Sequence, residues 1–253
     1  MNTEPARQRG FADVGSCRRA QYHGGVLTEV DRDIWIADGP AVSFFRIPYP
    51  TRATVVRLRD GSLWVCSPIR LDDQLRAAVG VLGPVRHIVS PNKLHHLYLG
   101  DWARTWPAAK LYASPGLARR RPDLSFESEL TDQPDAAWAD DIDQVIFHGS
   151  FAMQEVVFFH RLSRTAIIAD LVQRFDPASL QGWRRVIMTL DGLVGAHGST
   201  PREWRLSFWN RAAARSAKRK VLDWNPQRVI IAHGEWIRDN GRAVLERALA
   251  WMA

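Results

Sequence analysis

Four histidines and one aspartate fall where apolar runs stop. His95 and His96 follow "HIVSPNKL", His148 follows "QVIF", His233 follows "VIIA", and Asp170 closes "TAIIAD". Imidazole and carboxylate are ordinary ligands for zinc, iron and manganese. Imidazole is also the usual general base near neutral pH. A side chain at the end of a buried strand is held by a rigid element yet stays within reach of solvent, which suits such chemistry. Neighbours on a regular strand face opposite ways, so His95 and His96 can share an ion only from a loop or a loop–helix junction. Each histidine can equally be a plain hydrogen-bonded residue, and the residues alone leave both readings open.

The elements that must position these groups are legible in outline. Ile34, Trp35 and Ile36 predict a first strand, stopped by Gly39-Pro40, and "SFFRIPYPTR" reads as a loop or edge strand. Two strand-like runs, 54–58 and 62–67, flank Arg59-Asp60-Gly61, a strong hairpin cue. Leu71, Leu75, Ala78, Val79 and Leu82 recur at helical spacing, with Asp72 and Asp73 in the first turn and Gly83-Pro84 at the end. "VRHIVS" is a strand, followed by a helix over about 96–106, a strand "AKLYAS" and a short helix in "PGLARRRPDL". An acidic loop over 122–142 precedes the strands "DQVIFHG", "EVVFFHR" and "TAIIADLV". A long helix is expected over 201–223, then a buried strand "RVIIAHG" and a final helix "NGRAVLERALAWM". The order predicts an α/β protein with helices outside two packed sheets. Residues 1–30 are expected to be irregular, and 31–253 to form a single domain.

Composition narrows the function classes. The chain has 253 residues, 46% of them hydrophobic and 24% charged, enough for a sizeable core. The two cysteines, Cys17 and Cys66, make no disulfide framework and no CxxC metal or redox site. No run of about 18 apolar residues occurs and the first residues lack the apolar stretch of a secretory signal. A cytoplasmic setting with no membrane partner is therefore expected. The net charge of +7 is mostly arginine and is scattered, so "ARRRP" and "RAAARSAKRK" read as solvated faces, and nucleic acid is not the expected partner. Gly-x-Ser-x-Gly, the P-loop and Gly-x-Gly-x-x-Gly are all absent.

Taken together, these segments resemble the metallo-β-lactamase superfamily. "IWIADGPAV" with "ATVVRLRDGSLWVCSPI" is similar to its opening strands, and "HIVSPNKLHHLYLGDW" to its strand and His-x-His-x-Asp-His loop. "EVVFFHRLSRTAIIADLV" resembles the hairpin ending in a metal-bridging aspartate, and "VIIAHGEW" the strand with the last histidine ligand. The likeness spans about 33–250, and within the superfamily it is nearest to the DUF4336-type proteins. It implies a four-layer αββα sandwich with a metal site at one edge of the sheets. It also implies a degenerate loop, with Pro91 and Lys93 in the first two histidine positions and His95 in place of the aspartate. The third histidine of that first metal site falls near Phe151, with His148 a few residues away.

What the resemblance implies is one zinc or iron ion held by His96, Asp170 and His233, with His95 as a further ligand, or no metal at all. Asp170 and His95 are the expected catalytic groups, and Lys93, Asn92 and His148 the substrate-binding ones. The expected reaction is hydrolysis of a small ester or lactone. The alternative is a non-catalytic protein that binds a small anion on the same fold. Cys66 is expected in the core, Asn92 also as a helix cap, and His197 in a glycine-rich turn. Glu155 and Glu235 carry no assigned role.

Overall fold

The computed structural model describes residues 26–44 and 47–253; the rest of the segment expected to be irregular, residues 1–25 with Cys17, lies outside the described residues. The described residues open on β1 (Thr28–Asp31), which starts inside the 1–30 span expected to be irregular, followed by β2 (Ile34–Phe44), β3 (Ile47–Arg57) and β4 (Leu63–Cys66). Next come α1 (Asp73–Leu82), β5 (Val85–Val89), α2 (Leu99–Thr105), β6 (Lys110–Ala113), α3 (Leu117–Arg120) and β7 (Ser128–Glu129). The second half holds β8 (Ile142–Phe147), β9 (Glu155–His160), β10 (Thr165–Ile168), α4 (Gly182–Leu190), α5 (Arg202–Leu206), α6 (Arg211–Asp223), β11 (Arg228–Ile231) and α7 (Gly241–Ala248). One sheet runs β1-β2-β3-β4-β5-β6-β7 and the other β11-β10-β9-β8.

Strand periodicity explains the layering. In β4, Leu63 and Val65 face one way, into a cluster with Leu75 and Val79 of α1 and Trp102 of α2. Trp64 and Cys66 face the other way and meet Val156, Phe158, Ile167 and Ile230 of the second sheet. The alternate residues of that sheet, Val157, Ala166, Ile168, Val229 and Ile231, pack under Trp204, Val221 and Leu245 of α5, α6 and α7. Three apolar interfaces thus separate four layers, helix–sheet–sheet–helix, as expected from the resemblance.

The hairpin at Asp60-Gly61 forms, pairing β3 with β4 antiparallel. Of the tract "SFFRIPYPTR", residues 43–44 instead end β2 and residues 47–52 open β3, two long paired strands. The long helix expected over 201–223 breaks in two. Trp209 and Asn210 turn their N–H groups to the Gly149 carbonyl, and the Asn210 side chain accepts from Ala213 N–H to start α6 afresh. Among the described residues no helix is long and apolar enough to cross a membrane.

β4 and β5 are parallel neighbours, and so are β10 and β11. Their carboxyl ends therefore open along one edge, where Ser67, the turn after β5, Asp170 and His233 sit.

Candidate metal centre

Three chain-distant groups converge at that edge. Asp170 Oδ2 lies 3.2 Å from His95 Nε2, and Asp170 Oδ1 lies 3.1 Å from His233 Nε2. One ligand atom from each of the three residues lies within 4.8 Å of the others. The two imidazoles are tilted, with centroids 5.3 Å apart.

Each ring is fixed by its other nitrogen. His233 Nδ1 is 2.6 Å from the Pro50 carbonyl of β3, which can only accept, so Nδ1 carries the proton and Nε2 faces Asp170. His95 Nδ1 is 2.6 Å from Ser67 Oγ. Ser67 sits just past β4 with a positive φ of 55°, and its N–H donates to Val89 O of β5. Buried Arg52 donates to the carbonyls of Ile231 and Gly234 at 2.7 and 2.8 Å, clamping the His233 loop to the first sheet.

Behind Asp170 lies a second buried carboxylate. Glu155, at the start of β9, accepts from the N–H groups of Ala169, Asp170 and Leu171. Asn92 donates at 2.8 Å to both Glu155 Oε2 and Asp170 Oδ2, while its own oxygen accepts from Leu94 and His95 N–H. This Asx turn sets the path of the loop that delivers His95. Burial, and then the Asp170 charge, push the Glu155 carboxyl up to about 7. Burial would raise Asp170 as well, but His95 and His233 beside it hold it well below the usual carboxylate range. Burial pulls His233 down, and the Asp170 hydrogen bond and charge overcome it, leaving the imidazole above its ordinary value.

The family model described as "Domain of unknown function (DUF4336)" matches residues 32–181, more than half of the sequence. The chain belongs to the DUF4336 family. His233 lies beyond the matched span. Solved metallo-β-lactamases share the fold of this DUF4336 chain at low identity. The one from Pontibacter korlensis is 13% identical, covers 89% of this chain and 97% of its own, and has a TM-score of 0.61. Those from Hirschia baltica and Erythrobacter litoralis are each 13% identical over 89% of this chain, with 96% and 95% of their own lengths covered and TM-scores of 0.60 and 0.61. No curated protein matches the chain.

Within this DUF4336 fold, the expected site residues separate. His95, Asp170 and His233 come together. His96 does not join them, contrary to expectation. Its carbonyl accepts from Arg121 at 2.7 Å, and its Nδ1 lies 3.3 Å from the same guanidinium. Burial, followed by Arg120 and Arg121, pushes its pKa down to about 4. A ring set against a guanidinium is poorly placed to take a cation. Asn92 is fully buried with all its side-chain groups engaged, so it positions Asp170 and has no group left for a substrate. His148 pairs instead with Asp132, 2.8 Å away beyond β8 at the far edge of the second sheet. Lys93 is half-buried in the turn between Asn92 and His95. Cys66 is buried in the core, its thiol pushed well up by burial and then by Glu155. Half-buried His197 contacts Arg247.

Sequence reasoning missed Ser67, Arg52 and the role of Glu155. A carboxylate opening the otherwise apolar run "EVVFF" was the available signal for Glu155. Nothing local marks Ser67 or Arg52, whose partners lie far along the chain.

The three converging groups suit a divalent ion. Two imidazole nitrogens and an ionised carboxylate form a common donor set for zinc or iron. The 3.1 and 3.2 Å separations reach different oxygens of Asp170, and one ligand atom from each residue lies within 4.8 Å of the others, close enough to share one ion. The Pro50 and Ser67 contacts are of the kind that orient metal-binding histidines.

Proposed function

We propose that this DUF4336 protein is a metal-dependent hydrolase of a small ester- or lactone-like substrate, with one zinc or iron ion held by His95, Asp170 and His233. The observation that carries the reading is the convergence of those three groups at one sheet edge. A divalent ion there would supply a bound water with a pKa lowered toward neutrality. Three protein ligands leave a coordination position for that water or for substrate.

The chain's own residues do the positioning. Asn92 and Gln173 hold the Asp170 carboxylate from two sides, Gln173 Nε2 at 3.3 Å from Oδ1. Pro50 fixes the His233 tautomer so that Nε2 faces inward. Ser67 sets the pitch of the His95 ring. Glu155 gathers three successive N–H groups and so fixes the backbone that bears Asp170.

Elemental analysis of freshly purified protein tests this directly. About one ion per chain is expected, lost in Asp170→Ala and His233→Ala and retained in His96→Ala. A chain that carries no zinc or iron, and takes up neither when supplied, sinks the reading.

A further inference from the structure

α4 carries its apolar side chains the wrong way round for a helix on a protein surface. Trp183, Val186, Ile187 and Leu190 follow the i, i+3, i+4, i+7 spacing that makes one stripe. Such a stripe normally faces the core. Here its four members are between 44% and 61% exposed, and Met188 is the buried residue of the helix. α5 and the residues just after it carry further exposed apolar side chains. Asp191, which caps α4, accepts from the Arg202 N–H and, through its carbonyl, from Arg205, tying the two helices together. Leu206 and Trp209 are then 77% and 83% exposed, and Trp209 meets exposed Phe151 ring to ring at 5.3 Å.

The charges in this region have one sign for the most part. α4 has no acidic residue and its Arg185 is exposed, as are Arg202 and Arg211 farther on, whereas half-buried Arg184 lays its guanidinium over the Trp183 ring at 5.6 Å. Glu203 is the exposed acid of α5. Tryptophan and aliphatic side chains on one face with arginine beside them are the composition of a helix that lies in a bilayer interface. Anionic headgroups would neutralise these guanidinium groups. A two-fold contact with a second copy would instead bring the same arginines toward one another.

We propose that α4, together with residues 202–209, docks this protein on an anionic membrane surface. The proposal departs from the sequence expectation of no membrane partner, which weighed only membrane-spanning segments. It stands independently of the metal reading. The two are nonetheless neighbours, because Met188 packs with Phe175, the Phe175 ring meets Tyr49 at 5.9 Å, and Tyr49 meets His233 at 5.2 Å. Docking through α4 would hold the candidate metal centre close to the lipid surface.

Flotation of the full chain with phosphatidylcholine vesicles, with and without phosphatidylglycerol, tests the proposal. About tenfold more protein is expected on the anionic vesicles. Val186→Asp/Leu190→Asp should abolish that binding while the circular dichroism spectrum and Tm match wild type, since both side chains are exposed. Arg185→Gln/Arg202→Gln, and separately high salt, should weaken it severalfold. Equal recovery on both vesicle types overturns the proposal. So does a wild-type dimer in sedimentation equilibrium that Val186→Asp/Leu190→Asp converts to monomer, since the stripe would then belong to a contact between copies.

Discussion

At the scale of single residues, the candidate centre is defined less by its ligands than by what holds them. His95 can present Nε2 to Asp170 because Ser67 Oγ engages Nδ1 at 2.6 Å. Ser67→Ala removes that partner and leaves a half-buried ring free to rotate. Losing such an orienting contact typically costs 10–100-fold in metal affinity, so the variant should bind zinc about that much more weakly in a competition titration with a chromophoric chelator. An unchanged affinity would mean that Ser67 does not orient the ligand. The three groups were all named from their places after apolar runs, which is a local property. Which of the paired histidines faces inward was not legible. The choice is made by the Asn92 turn and by Arg121, whose guanidinium takes the carbonyl of His96, and both contacts depend on the folded loop.

At the scale of elements, the strands carry the centre and glycines let their loops pass close to one another. Gly234 follows His233 with φ +101°, and a Cβ there would lie 1.8 Å from the Arg174 carbonyl. Gly234→Ala therefore forces the His233 loop off Arg174 and strains a left-handed residue, which should cost more than about 1 kcal/mol. The expected readout is a Tm lowered by at least about 2–4 °C, with metal content reduced as well. Gly61 is the control. It also has positive φ, +81°, but a Cβ there meets nothing within 4 Å, so Gly61→Ala should lower Tm less and leave metal content intact. Equal effects from the two variants would remove close backbone approach as the cause. Strand alternation and the Asp60-Gly61 turn were readable because both signals are local. The break before α6 was not, since it depends on Gly149, some sixty residues upstream, accepting the N–H groups of Trp209 and Asn210.

At the scale of the whole molecule, four layers bury titratable groups far from the candidate centre, and these set part of the response to acid. The sandwich follows from apolar patterning, whereas the burial of His87 and His160 depends on how the finished sheets pack. His87 lies beside Tyr112 and Trp138, with Nδ1 3.3 Å from the tyrosine hydroxyl. His160 closes β9 and is 1% exposed, its Nδ1 2.8 Å from Ser163 Oγ. Burial pulls both imidazoles below their ordinary value of 6.5, outweighing Asp135 and Asp60 near the first and Asp141, Asp33 and Asp31 near the second. In the unfolded chain both titrate normally, so below pH 6.5 that state binds protons the folded state refuses. Stability from these two groups is complete above the unfolded pKa and declines as pH falls toward the lower folded values. Asp170 and His233 add their own slopes, so the test is a difference. His160→Gln keeps a polar side chain beside Ser163 and removes one titration. Wild-type Tm should fall more steeply than that of His160→Gln between pH 7 and pH 5 in thermal melts monitored by circular dichroism. Parallel curves would show that the His160 imidazole takes up its proton as readily in the folded protein as in the unfolded one.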